Sequence, residues 1–375
     1  MDRDLDIARV RVYAVGPETT PRFRFSGQTE HLFMTYTIVR VTSRNGLEGS
    51  GGVDTEGVGD FDRSLAEKLQ PLIGSLPGQS ALNRAKITQA LLKDRTAPVP
   101  EAESLIDIAL WDLVAEQAGL PLYQLLGGAR NCIPTYASSP VFETAGEYAD
   151  YTALAQAAGY PAVKFHTQGI LDWDLRMVRA VHERFGEKSM KFMLDLEQMY
   201  TREQALIFGR ELSRLKYNWL EAPLDDTDLE GYRTLRSRVG VPVLSSGNTI
   251  VELTQIKKAL DMGCWSALRT DPCVVGGITT ALKVMALAES YGMSVELQSY
   301  GYPLSQAANL HLMLAGENCS YFEQPFPLEH YDYGARTPVQ VNPKGFARAP
   351  SGSGLGVVID WEQIESDAFL IYDTA

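Results

Sequence analysis

Cysteine is scarce in this chain, with 4 residues among 375. Cys132, Cys264, Cys273 and Cys319 show neither the close pairing of a zinc site nor the density of a disulfide framework, so they read as reduced core residues. Positive charge is also in deficit: 34 Lys and Arg stand against 47 Asp and Glu, giving a net charge of −13 and a pI near 5.0. A surface of that sign repels nucleic acid and anionic membranes, and neither is expected as the main partner. Long apolar runs are missing too. No stretch stays apolar for the ~20 residues a membrane span needs. The opening Met-Asp-Arg-Asp-Leu-Asp has no apolar signal-peptide core, so a cytoplasmic location is the expectation. What the chain does have is apolar mass: 45% hydrophobic content over 375 residues can bury a large core, and that length is expected to make two domains. A small molecule is the expected partner.

The texture changes once along the chain. Residues 8–16 and 33–42 alternate apolar and polar and read as antiparallel strands, with Asn45-Gly46 as a turn signal. From Phe61 to Leu125 apolar residues recur at helical spacing, around Trp111 among others, until Gly127-Gly128 stops the pattern. An α+β unit therefore fills residues 1–128. From about Ile133 onward, short apolar runs alternate with amphipathic helices, the pattern of repeated βα units in a parallel sheet. Eight such runs can be placed, at 133–138, 162–166, 191–195, 218–221, 242–245, 266–269, 294–298 and 321–323. Eight parallel strands imply a closed barrel, whose chemistry sits at the carboxyl ends of the strands.

Those ends are polar. Lys164 and His166, Asp195, Glu221, Asn248, Asp271, Gln298 and Glu323 each fall at or just past the end of a run. Asp195 in Met-Leu-Asp-Leu-Glu, Glu221 in Trp-Leu-Glu-Ala-Pro and Asn248 in Ser-Ser-Gly-Asn recur at about one βα unit each. As ends of successive strands they would converge on one metal ion, and their hard oxygens suit Mg2+.

The chain resembles the mandelate racemase and muconate lactonizing enzyme branch of the enolase superfamily. The likeness rests on Ile108-Ala-Leu-Trp-Asp-Leu with Gly119-Leu-Pro-Leu-Tyr-Gln-Leu-Leu-Gly-Gly, on Val163-Lys-Phe-His, and on the Asp195 and Glu221 contexts. It continues through Asp271-Pro-Cys-Val-Val-Gly-Gly-Ile-Thr to Gly354-Leu-Gly-Val-Val-Ile-Asp. The resemblance implies a (β/α)7β barrel, a modified TIM barrel over residues 129–345, with an α+β capping domain to which residues 346–375 return. It also implies Mg2+ on three acidic side chains, removal of a proton next to a carboxylate, and assembly as a homo-oligomer, commonly a dimer or octamer.

Three positions depart from that pattern. Asn248 stands where the family has Glu or Asp; it can coordinate through its carbonyl but brings no charge. Glu197, two residues beyond Asp195, would share its face if the strand stays extended, and could complete the site; alternatively Asn248 caps a helix over 249–260. Lys164 matches the first lysine of the family's Lys-x-Lys pair, but the second is His166, and period-two geometry points both into the barrel mouth. Either can be the base, His166 because it titrates near neutrality and Lys164 because a dication lowers its pKa. Asp271 matches the aspartate of an Asp-His dyad whose histidine is here Gln298, which cannot move a proton. Losing one face argues against two-base racemisation and leaves dehydration and cycloisomerisation. Glu323 matches a glutamate that donates a hydrogen bond to the substrate carboxylate, a role that needs a raised pKa.

In this family capping-domain loops choose the substrate. Arg22 and Arg24 alternate with Phe23 and Phe25 and could grip a distal carboxylate, or form a solvated strand edge. Gly49-Ser-Gly-Gly-Val-Asp-Thr-Glu reads as a second, glycine-rich loop, and Tyr300, Tyr302 and Asp54 are further pocket candidates. The expected activity is Mg2+-dependent enolisation of a carboxylate, as an acid-sugar or hydroxy-acid dehydratase. A racemase, epimerase or cycloisomerase is the alternative, and a metabolite-binding protein without turnover the third reading.

Overall fold

The computed structural model describes residues 4–16, 34–56, 59–94, 97, 99–328 and 331–375. Strands β1 (Ile7–Val15) and β2 (Met34–Ser43) pair antiparallel, with Val12 opposite Val39, and a turn at Gly46 (φ 84) leads into β3 (Glu48–Glu56). Alternation divides this sheet between two cores. Val10, Val12, Ala14, Val39 and Val41 pack with helices α1 (Gly59–Ile73), α2 (Arg84–Asp94) and α3 (Glu101–Ala118), whereas Tyr13, Val15, Tyr36 and Ile38 join the core of the barrel.

The glycine-rich run read as a loop is β3, and the glycines have a steric reason. A Cβ on Gly49 would stand 2.2 Å from Ala109 O, and one on Gly51 would stand 2.4 Å from Leu105 O. The backbone of α3 lies directly on the strand, closer than any side chain allows. Helix α3 then fastens the cap to the rest of the chain. Asp107 accepts from Thr279 N (2.9 Å) and Thr279 Oγ1 (2.6 Å), and Asp112 accepts from Ser50 N (2.8 Å) and Leu355 N (2.6 Å).

Eight parallel strands follow: β4 (Ile133–Ser138), β5 (Ala162–His166), β6 (Lys191–Asp195), β7 (Trp219–Glu221), β8 (Val243–Leu244), β9 (Leu268–Thr270), β10 (Val295–Leu297) and β11 (Phe322–Pro325). All but the last lead into a helix, and no end differs by more than two residues from its sequence reading. β11 pairs with β4 to close the ring; Ser266 N→Val243 O (2.8 Å) and Val295 N→Asn318 O (2.7 Å) join β8 to β9 and β10 to β11. This is a (β/α)7β barrel with an α+β cap. The chain then adds β12 (Phe346–Ala347), antiparallel to β4, and finishes as β13 (Ala368–Asp373), antiparallel to β1 in the cap sheet. Among the described residues no helix is long and apolar enough to cross a membrane.

Inside the barrel, side chains two residues apart form layers. The floor is apolar: Tyr136, Ala162, Met193, Trp219, Leu244 and Ala267, with Tyr321 against them. Two residues further along β5, β6, β7, β9 and β11 come Lys164, Asp195, Glu221, Arg269 and Glu323, all buried. The intervening residues Val163, Phe165, Leu194, Leu220, Leu268 and Phe322 face outward into the main core. Burial of each large apolar side chain contributes about 1.5–3 kcal/mol, whereas buried ion pairs roughly break even against their desolvation. Outward faces hold the barrel together, and the charged layer serves chemistry.

Candidate active site

The charged layer is an interlocked set of ion pairs. Lys164 Nζ lies 2.7 Å from Glu323 Oε1, 3.2 Å from Asp195 Oδ2 and 3.3 Å from Glu221 Oε1. Arg269, which sequence reasoning missed, sits on the far side of the same carboxylates. Its Nη2 donates to Glu323 Oε2 at 2.7 Å, and its Nη1 donates to Tyr136 Oη at 3.2 Å. Its Nε is 2.9 Å from Glu221 Oε1, a charge contact without a straight N–H···O line. Ser138 Oγ donates to Glu323 Oε1 (2.9 Å) and Trp219 Nε1 to Glu221 Oε2 (3.1 Å). Parity was the available signal: Arg269 stands two residues before Asp271 and so on the same face of its strand.

These contacts reverse two expectations. Burial alone would lower the Lys164 ammonium, but Glu221 and Glu323 beside it hold its pKa well above the ordinary lysine range. Burial alone would raise Glu323, yet Lys164 and Arg269 outweigh it and bring the carboxyl down to about 2. Glu323 is thus a carboxylate with both oxygens engaged, the opposite of the protonated donor expected from its position.

His166 is set differently. Its Nδ1 is 2.6 Å from the carbonyl of Ser139, which can only accept, so Nδ1 carries the hydrogen. In the neutral ring the lone pair is therefore on Nε2, which lies 3.5 Å from Asp195 Oδ2 and lines the cavity. Burial pulls the imidazole pKa down, but the Asp195 carboxylate raises it to about 9.

Past Asp195 the strand does not stay extended. Glu197 (φ 45) and Gln198 (φ 64) take left-handed conformations, and Glu197 N turns back to donate to Asp195 Oδ1 at 3.0 Å. Glu197 therefore does not continue along the face of Asp195, although it borders the cavity. Ala222, just past Glu221, is also left-handed (φ 44). Such backbone costs on the order of 1 kcal/mol or more per residue and collects where function over-determines the geometry. Asn248 is exposed at the rim; the next helix is Leu253–Asp261 with Glu252 at its N-cap, so Asn248 is not a helix cap.

The opposite wall carries little proton chemistry. Asp271 accepts from Cys273 N (2.9 Å) and Asn309 Nδ2 (3.1 Å), caps the short helix Pro272–Val275, and does not line the cavity. Gln298 does line it, and its Oε1 is buried without a hydrogen-bond partner. Tyr300 lines it too, edge-on to His166 with centroids 5.8 Å apart, and its hydroxyl bonds that of Tyr331. Asp54 accepts from Tyr302 N (2.6 Å), and Tyr302 is fully buried; both serve the junction of cap and barrel. Arg22 and Arg24 lie outside the described residues.

Known proteins share this fold. The model of the mandelate racemase/muconate lactonizing enzyme N-terminal domain matches residues 7–127, and that of the enolase C-terminal domain-like family matches residues 147–364. The chain belongs to the mandelate racemase/muconate lactonizing enzyme branch of the enolase superfamily. A crystal structure of a putative enzyme of this branch from Pseudovibrio sp. is 38% identical, with a TM-score of 0.95 over 98% of both chains. L-talarate/galactarate dehydratase of Salmonella typhimurium is 28% identical over 79% of this chain and 73% of its own. A structure of such a dehydratase liganded with Mg and L-glucarate shares the fold at a TM-score of 0.86 and 24% identity, covering 98% of this chain and 93% of that one. The 3,6-anhydro-alpha-L-galactonate cycloisomerase of Streptomyces coelicolor is 29% identical over 91% of this chain and 94% of its own.

Enolase-superfamily enzymes use Mg2+, and the donors here fit it. Asp195 and Glu221, register partners on β6 and β7, line one cavity of about 300 Å3 with Asn248. Among the described residues no three His, Cys, Asp or Glu side chains form a metal-holding group, so a cation would need the Asn248 amide oxygen beside the two carboxylates. The donors are hard oxygens throughout, one charge short of three carboxylates.

Proposed function

We propose that this member of the enolase superfamily abstracts the proton α to the carboxylate of an acid sugar or related hydroxy acid and expels the β-hydroxyl as water, with Mg2+ held by Asp195, Glu221 and Asn248. One observation carries the reading: His166 presents Nε2 to the cavity, locked by the Ser139 carbonyl, and faces a wall whose polar group is Gln298.

When bound, Mg2+ supplies positive charge at the substrate carboxylate, where negative charge collects as the proton leaves. The chain's own residues do the rest. His166, whose pKa of about 9 makes it a strong base in the fraction that has lost its proton, takes the α-proton on Nε2, and Asp195 stabilises the imidazolium that forms. Lys164, kept charged by Glu221 and Glu323, adds a fixed ammonium near the developing oxyanion. The α C–H electron pair becomes the new C=C bond as the β C–O bond breaks. The departing hydroxyl recovers the proton from His166 and leaves as water; the enol then becomes a 2-keto-3-deoxy acid. The free Gln298 Oε1 accepts a hydrogen bond from a substrate hydroxyl. A single base suffices for this sequence but not for racemisation, which needs a proton carrier on each face.

Cycloisomerisation is the second reading, favoured by the 29% identity to the Streptomyces coelicolor cycloisomerase and by the same one-sided base. Proton NMR of the protein with Mg2+ and a panel of acid sugars and hydroxy acids in D2O separates the two. A 2-keto-3-deoxy product supports dehydration; a rearranged or solvent-exchanged isomer without loss of water supports the second reading. No exchange and no product across the panel would sink both and leave a binding protein.

A further inference from the structure

The interior cation Arg269 has no part in the family pattern described above, and its placement bears on the metal. Its guanidinium is wholly buried, forked between Glu323 and Glu221 and anchored on Tyr136 Oη. Glu221 Oε1 thus has Arg269 Nε at 2.9 Å and Lys164 Nζ at 3.3 Å, while Glu221 Oε2 accepts from Trp219 Nε1. An ammonium can yield a proton when a second cation approaches, but a guanidinium cannot, so the charge of Arg269 is permanent. Across the cavity the third oxygen donor is the neutral, exposed amide of Asn248. Both features weaken the same thing. Two carboxylates face the cation position where three could, and one of the two is already held by a cation that cannot leave.

We propose that Arg269 sets the divalent-cation affinity of this site: the guanidinium competes for Glu221, so that the metal binds weakly alone and is retained once an anionic substrate adds its own carboxylate. Arg269 is a positioning residue here, acting through Glu221 and Glu323 rather than on the substrate. The proposal rests on the reading of Asp195, Glu221 and Asn248 as the cation site. Its consequence is that metal and substrate bind synergistically, each raising the affinity of the other by the same factor.

The test is Mn2+ binding to the purified full chain, followed by electron paramagnetic resonance of free Mn2+, for the wild type and for R269Q, R269K and N248E. Removing the charge in R269Q should tighten Mn2+ by about tenfold or more, whereas R269K, whose ammonium can yield its proton to the approaching cation, should tighten it by a smaller factor of about threefold. A lost structural contact would weaken binding, so a gain identifies charge competition. N248E disturbs no buried partner and should also tighten Mn2+ by about tenfold, and if R269Q does not fold, R269K must bind Mn2+ tighter than wild type. Mn2+ bound by the wild type but no tighter in R269Q, or weakened in R269K as strongly as in R269Q, overturns the role of Arg269 alone. No Mn2+ bound by any of the four proteins overturns the cation site itself, and the proposal with it.

Discussion

Two aspartates at the ends of barrel strands, Asp195 on β6 and Asp271 just past β9, differ in their state: the first lines the cavity and the second does not. Asp195 sits among Lys164 and His166, and although burial alone would raise it, those cations hold it well below the usual carboxylate range. Asp271 has been pushed up to about 6 and Asp54 behind it to about 7, in both cases chiefly by burial. The same residue type is held ionised at one position and gains affinity for a proton at the other. Burial raises every one of these carboxyls, and neighbouring cations outweigh it at Asp195 but not at Glu221, which burial pushes up to about 8 despite Arg269 and Lys164 beside it.

Breaking the His166 side of the cavity should have the largest effect. His166→Asn removes the group proposed to take the α-proton and should lower kcat by about 10²–10⁴-fold with the circular dichroism spectrum retained. Gln298→Ala on the facing wall should lower kcat/KM by only about tenfold, mostly through KM, as expected for one lost hydrogen bond to a hydroxyl. Equal losses from the two would refute a one-sided site.

Stability should divide along the same line. Lys164→Met leaves Glu221 and Glu323 sharing Arg269 and Asp195 with His166, and should cost about 3–5 kcal/mol in urea unfolding. Asp271→Asn, which disturbs the cap of one short helix, should cost about 1 kcal/mol.

The pH dependence sharpens the contrast further. Asp271 and Asp54 have folded pKa values above the ordinary 3.8, so the folded state binds protons more tightly than the unfolded chain. Their stabilisation is fully present below 3.8 and is lost as pH rises through about 6 for Asp271 and about 7 for Asp54. Metal-free protein should therefore melt at a higher temperature at pH 5 than at pH 8, and D54N should flatten that slope. A melting temperature that climbs from pH 5 to pH 8 would contradict the assignment. The smallest effect belongs to the strained turn. Ala222→Gly should raise stability by about 0.5–1 kcal/mol, because glycine adopts the left-handed backbone at φ 44 without the Cβ penalty.

Much of this molecule could be read directly from residues. Strands β4 to β11 were legible because a parallel strand buried on both faces is a short apolar run between helices, and the polar residue at its end breaks the run. Lys164, His166, Asp195, Glu221, Gln298 and Tyr300 do meet in one cavity, since period-two alternation and strand order suffice to bring them there. β3 was not legible, because its glycines imitate a loop and only the approach of α3 explains them. Nor was the departure of Glu197, which depends on a turn locked by Gln198 N→Ala222 O at 2.7 Å, a contact between two separate strand ends.

Alternation along the chain, then, determined the barrel and its open end, because periodicity is a local property that survives without coordinates, while the family resemblance supplied the candidate base and the role of each ligand. The charge state of each group was decided only in three dimensions. Whether a buried lysine is a base or a clamp, or a glutamate an acid or a counter-ion, depends on cations brought in from strands far apart in sequence. Arg269 reaches Glu221 and Glu323 across such distances, and electrostatic energy inside a protein is set by separation in space.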